Sequence, residues 1–209
     1  MPVEESLISA VINALLGQSS WEWLAASLGI LYVVLASKES IWCWPAALIS
    51  TIIYTVLFWE GQLPMQAILN AYYMAMAVYG FMLWRKHAEP ELELKITDRP
   101  IQFHLLFIGA GIVLTGLIGT YLSSIPEARM PYLDAAVTVF SVMNTVLMAR
   151  KVIENWIYWI VIDTAAIALY LQTGYYVTIV MFIVYLVLAV YGYLSWKKLK
   201  QQAVEPAAS

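Results

Sequence analysis

The chain has 209 residues, 62% of them hydrophobic and 12% charged, with nine Trp and a mean hydropathy of +0.75. So little polarity cannot cover a water-soluble globule, and the composition defines a polytopic membrane protein whose first partner is the lipid bilayer. The net charge of −3 says little about partners, no nucleic acid is expected, and the single cysteine, Cys43, excludes an intrachain disulfide.

Residues 1–20 begin with Glu4 and Glu5 rather than a basic run, which argues against a secretory signal peptide. The short apolar stretch at 7–16 is expected to lie at the membrane interface. Apolar segments long enough to cross a bilayer follow at 21–37, 41–59, 64–84, 103–122, 132–149, 156–172 and 175–196. Polar breaks at 38–40, 60–62, 85–99, 125–131, 150–154 and 173–174 separate them. This predicts an all-α membrane protein with seven transmembrane helices. Lys38, Arg85, Lys86, Lys95, Arg99, Arg150, Lys151, Lys197, Lys198 and Lys200 all fall on one side of that topology, and only Arg129 on the other. By the positive-inside rule the N-terminus is outside and the C-terminus cytoplasmic.

Shifting the sequence by 112 residues reveals an internal repeat without a gap. Val34-Leu35 falls on Val146-Leu147, Lys38 on Arg150 and Trp44 on Trp156. Ala77-Val78-Tyr79-Gly80 falls on Ala189-Val190-Tyr191-Gly192, and Trp84 on Trp196. Spans one to three thus correspond to spans five to seven, and span four links them in a 3+1+3 parallel repeat, an arrangement that places substrate between the halves near the midplane. The expected organisation is an interfacial segment (1–20), a first three-helix bundle (21–86), a cytoplasmic loop with the linker helix and outer loop (87–131), a second bundle (132–198) and a disordered cytoplasmic tail (199–209).

Within this frame the chemistry concentrates on the sixth span. Trp156, Trp159 and Asp163 stand at i, i+3 and i+7 and share one helix face, with Asp163 near mid-membrane. A carboxylate there is costly unless something satisfies it, and two aromatic faces beside it suit a cation. The repeat partners of Trp159 and Asp163 are Ala47 and Thr51, so the site is asymmetric and suits a ligand with two distinct ends. Asn70 and Tyr73 on the third span, and Ser50 and Tyr54 on the second, are further candidate lining groups. Gly80, Gly192, Pro45 and Pro64 are either flexing points or close-packing positions. Asp134 is expected to serve the start of the fifth span structurally, as a cap.

No catalytic residue, metal ligand set or cofactor is expected. His87 and His104 sit in or beside the cytoplasmic loop without a metal-binding spacing, and the spans hold no chain of acids or histidines for a proton relay. Downhill transport is the simpler reading. A non-transporting seven-span receptor or accessory subunit would have the same sequence features.

Met148-Ala149-Arg150-Lys151 followed by Glu154-Asn155-Trp156, the Trp156-x-x-Trp159-x-x-x-Asp163 motif, Gly61-Gln62-Leu63 and Tyr79-Gly80 ahead of Trp84 together resemble the PnuC family of bacterial vitamin transporters, over about residues 21–198. The resemblance implies a relative of the SWEET sugar transporters, homotrimeric, in the bacterial inner membrane. It implies facilitated diffusion of nicotinamide riboside, with a cytoplasmic kinase trapping the product. It also implies substrate binding by Trp156, Trp159 and Asp163. Where nicotinamide riboside transporters of the family usually have Asn on the second span and Gln on the third, this chain has Ser50 and Asn70. Both are shorter, and thiamine is the alternative substrate; each vitamin carries a positively charged aromatic ring.

Overall fold

The computed structural model describes residues 9, 12–13, 16–61, 64–86, 94–126, 129–173 and 176–204. Most of the segment expected at the interface, 7–16, lies outside the described residues, as do His87 and residues 205–209. The described chain is all-helical: α1 (Ser20–Ser37), α2 (Cys43–Glu60), α3 (Pro64–Lys86), α4 (Ile101–Ser123), α5 (Pro131–Ala149), α6 (Asn155–Thr173) and α7 (Tyr176–Val204). Six of the seven are long and apolar enough to cross a membrane. α6 has the length but not the apolarity, because Asn155, Asp163, Thr164 and Gln172 interrupt it. The helix expected to hold the site is therefore also the most polar one by this measure.

Local chemistry sets the helix ends. Ser19 and Glu22 form a reciprocal capping box at the start of α1, with the Glu22 amide donating to Ser19 Oγ at 3.2 Å and the Ser19 amide to Glu22 Oε2 at 2.6 Å. The cap of α5 is not Asp134, as expected, but Met130, held at φ 50° ahead of Pro131. Asp134 lies in the first turn, where its charge faces the positive helix end without a capping bond. α7 continues to Val204, so residues 199–204 are helical rather than part of a disordered tail. Lys200 on that extension pairs with Asp98, and the pairing holds the Asp98 carboxyl below the usual carboxylate range.

α2 packs on α1 and α3, and α6 on α5 and α7; contacts between the two sets run through α1 with α7 and α3 with α5, while α4 packs chiefly on α5 and touches α6 through side chains. Positions 112 apart also repeat in detail. α1 and α5 both end in a Schellman-type turn, Ser40 N–H to Leu35 O and Val152 N–H to Leu147 O, each at 3.0 Å. The left-handed residue of each turn is not glycine but Glu39 (φ 55°) and Lys151 (φ 51°). Such a residue costs about 1–2 kcal/mol. These two meet: Lys151 Nζ lies 2.8 Å from Glu39 Oε1 and 4.6 Å from the centre of the Trp84 ring.

Each half also carries the same aromatic stack. Trp44 and Trp84 meet edge-on at 5.4 Å and 89°, and Trp156 and Trp196 at 5.5 Å and 90°. The outer tryptophans reach across to the other half, Trp84 Nε1 donating to Ala149 O and Trp196 Nε1 to Ala36 O, both at 2.9 Å. A Cβ on Gly80 would stand 2.4 Å from the Trp44 ring, and one on Gly192 2.6 Å from the Trp156 ring. Both glycines are close-packing positions. The loop before α4 is pinned beside these ends, with Thr97 N–H donating to Lys151 O and Ile153 N–H to Thr97 O.

Gly80→Ala and Gly192→Ala should each destabilise the protein by about 1–3 kcal/mol through overpacking. Gly109→Ala and Gly116→Ala on α4, where a Cβ meets nothing within 4 Å, should leave stability unchanged or raise it by up to about 1 kcal/mol. Thermal unfolding of the four variants in detergent measures the contrast.

Candidate functional site

Between the two helix sets lies a cavity of about 280 Å³, the size of a small-molecule site. All seven residues singled out in the sequence, Trp156, Trp159, Asp163, Asn70, Tyr73, Ser50 and Tyr54, border it. They do not play equal parts. Asp163 is 3% exposed and has no hydrogen bond or ion pair among the described residues. A carboxylate so placed is left for something the protein does not supply. Trp159, half-buried, sits one turn before it on the same face of α6.

Trp156 is more deeply committed to the protein. Its ring is wedged on Gly192 and against Trp196, the same environment that Trp44 has on Gly80 and Trp84, and its indole N–H, like that of Trp44, is buried without a partner among the described residues. Ser50 donates its hydroxyl to Ala25 O at 2.8 Å, which ties α2 to α1. Asn70 donates its amide to Gln66 O at 3.0 Å, one turn back on α3. Both residues keep acceptor oxygens. Tyr73, and Tyr185 on α7, border the same cavity as Asp163.

Tyr185 was not among the sequence candidates, nor were Tyr32, Ser141 and Thr145, which also border the cavity. The repeat contained the signal. Tyr185 is the counterpart of Tyr73, 112 residues on, and Ser141 and Thr145 are the counterparts of Gly29 and Val33, which line the opposite wall. Trp44 with Trp156, Tyr73 with Tyr185 and Ala77 with Ala189 thus form matching parts of the two walls, and the remaining positions differ.

His104, at the start of α4, lies away from this cavity. Its Nδ1 is 2.9 Å from the Tyr158 hydroxyl and its Nε2 3.2 Å from Arg99 O, while Glu154 accepts the Arg99 amide at 3.1 Å. These contacts fasten α4 to the outer side of α6. Among the described residues no group of three His, Cys, Asp or Glu side chains is placed to hold a metal.

Apolar helices of spanning length, with many large hydrophobic side chains turned outward, around a central aromatic cavity with one unpartnered carboxylate, define a multi-pass membrane protein that handles a small molecule. Residues 19–198 match the nicotinamide mononucleotide transporter family, and the chain belongs to that family. It is 31% identical to the nicotinamide riboside transporter PnuC of Neisseria mucosa, over 92% of this chain and 77% of that one, and 26% identical to the PnuC of Escherichia coli K12, over 93% and 92%. It is 25% identical to the riboflavin/roseoflavin transporter RibM of Streptomyces davaonensis, over 81% and 80%. The crystal structure of the vitamin B3 transporter PnuC matches with a TM-score of 0.73 at 29% identity, covering 93% of this chain and 88% of that one. The protein is therefore a vitamin transporter of the bacterial inner membrane and not an enzyme.

An unpartnered buried carboxylate is retained at a cost to stability. Asp163→Asn should accordingly raise the unfolding temperature of the ligand-free protein, by an amount equivalent to about 1–3 kcal/mol. A calorimetric scan of both forms without ligand tests this, and a lower unfolding temperature would show that the carboxylate is a structural partner instead.

Proposed function

We propose that this protein takes up a vitamin with a cationic aromatic ring, nicotinamide riboside ahead of thiamine, by facilitated diffusion with alternating access. The observation that carries the reading is Asp163, buried beside the Trp159 ring with no partner of its own. A ligand cation answers the carboxylate, and the indole face adds cation–π attraction worth about 0.5–2 kcal/mol. The substrate names of the PnuC relatives favour nicotinamide riboside. Thiamine offers the same charged ring, and the short side chains of Ser50 and Asn70 keep it as the second reading. Ser50, Asn70 and Tyr73 contact the rest of the ligand, and Trp156 forms the floor of the site.

The transporter crosses the membrane seven times in a 3+1+3 parallel repeat, with the N-terminus outside and the C-terminus cytoplasmic. Equivalent turns and aromatic stacks at positions 112 apart support the repeat, and the gathering of basic residues at the ends of α1, α3, α5 and α7 supports the orientation. Assembly as a homotrimer and trapping of the product by a cytoplasmic kinase complete the reading on the strength of the family resemblance. No proton or sodium gradient is coupled. Rocking of one half against the other about the fixed site exposes it to each side in turn.

Opening at the basic end then breaks three contacts: the Lys151–Glu39 pair, the Trp84 bond to Ala149 and the Trp196 bond to Ala36. Cys43, the only cysteine and fully buried in the same cluster, is a built-in reporter of that opening. Trp84→Phe and Trp196→Phe each remove one hydrogen bond of about 1 kcal/mol, so alkylation of Cys43 should run about fivefold faster in either variant. Equal labelling rates in well-folded variants would remove these contacts from the gating mechanism.

Binding is tested by titrating purified protein with nicotinamide riboside, thiamine, riboflavin and neutral sugars. The two cations should bind, and Trp159→Ala should weaken the preferred one several-fold to some thirtyfold. In liposomes, labelled vitamin should equilibrate with the lumen and be indifferent to a proton uncoupler when no potential is imposed. Saturable binding without entry would instead favour a receptor.

A further inference from the structure

The two walls of the cavity differ along α1 and α5. On α1 the cavity is bordered by Tyr32 and by Gly29 and Val33, and the last two present no polar side chain; at the positions equivalent to Gly29 and Val33, α5 has Ser141 and Thr145, 6% and 7% exposed. Spaced four apart, these two share a helix face. Asp163 and Trp159 stand where the first half has Thr51 and Ala47, while Ser50 and Asn70 of the first half have Ile162 and Phe182 as counterparts, so the two walls carry different polar groups. Thr145 donates its hydroxyl to Ser141 O at 2.8 Å, which leaves its Oγ1 lone pairs as acceptors. Ser141 and Tyr73 border the same cavity, and a serine hydroxyl brings one proton and two lone pairs to its wall.

A cationic ring satisfies Asp163 and Trp159 but has no use for two buried hydroxyls beside them. Resting on the substrate reading given above, we infer that Ser141 and Thr145 are specificity-determining residues that hydrogen-bond the hydroxyl-bearing part of the ligand while its ring lies at Trp159 and Asp163. The hydroxyl-bearing part of the ligand is then held along α5, and the equivalent positions of α1, Gly29 and Val33, provide room rather than recognition. Thr145→Val and Ser141→Ala convert the hydroxyl wall to an apolar one, and the first places at 145 the residue the other half already has.

The test is titration of wild type and both variants with nicotinamide riboside and, by competition, with N-methylnicotinamide, which has the charged ring and no ribose. Each substitution should weaken nicotinamide riboside about five- to tenfold, the worth of one hydrogen bond, and leave N-methylnicotinamide affinity and the unfolding temperature unchanged. Equal weakening of both ligands assigns the residues to packing, and unchanged affinity for both removes them from recognition; either result overturns the inference. If the wild type binds thiamine and not nicotinamide riboside, the choice of vitamin falls separately. The same variants are then titrated with thiamine, whose hydroxyethyl group takes the place of the ribose, and an unchanged thiamine affinity again overturns the inference. Binding of neither vitamin by the wild type overturns both.

Discussion

In each half the ring of one tryptophan lies on a glycine of the third helix of that half, while a second tryptophan meets it edge-on and gives its indole N–H to a carbonyl of the opposite half. In a bilayer, helices gain nothing hydrophobic by meeting, so close approach at small residues and satisfied polar bonds must hold them together. The two stacks provide both. They fix the distance between helices within a half, and the reciprocal indole bonds fix the halves to each other at one end. The space left beyond the stacks, on the side away from the crossed bonds, is the cavity.

That arrangement explains why the residues around the cavity divide into two kinds. Trp44, Trp156, Ala77, Ala189, Tyr73 and Tyr185 occur in matching pairs because both halves need the same frame. Trp159, Ser141 and Thr145 have Ala47, Gly29 and Val33 as counterparts, and Asp163 has Thr51, so the two walls are unlike at these positions. The polarity of α6 belongs to the same division. It is the helix least suited to lipid by composition, and its position between α5 and α7 places its polar face inward.

The meeting of Glu39 and Lys151 has a similar logic. Both sit at a left-handed position that glycine usually occupies, and a side chain is kept there at a cost in backbone energy. What the side chains gain is a short ion pair, with the lysine mostly buried and lying over the Trp84 ring. An ion pair in such surroundings adds little net stability compared with apolar packing, but it is sensitive to small separations of the halves.

Much of this protein was legible in its sequence because a bilayer imposes simple rules. Length and apolarity pointed to the helices, of which six meet both criteria, and the spacing of Trp156, Trp159 and Asp163 put them on one face. Side-chain spacing along one helix, however, says nothing about what stands opposite. Only the tertiary structure decided that Trp156 and Trp44 are wedged on glycines, that Ser50 spends its proton on Ala25, and that Asp134 does not cap α5. It alone brought Ser141, Thr145 and Tyr185 to the cavity beside Asp163. These residues lie on different helices, far apart in the chain, and their meeting depends on how closely helices from opposite halves can pack.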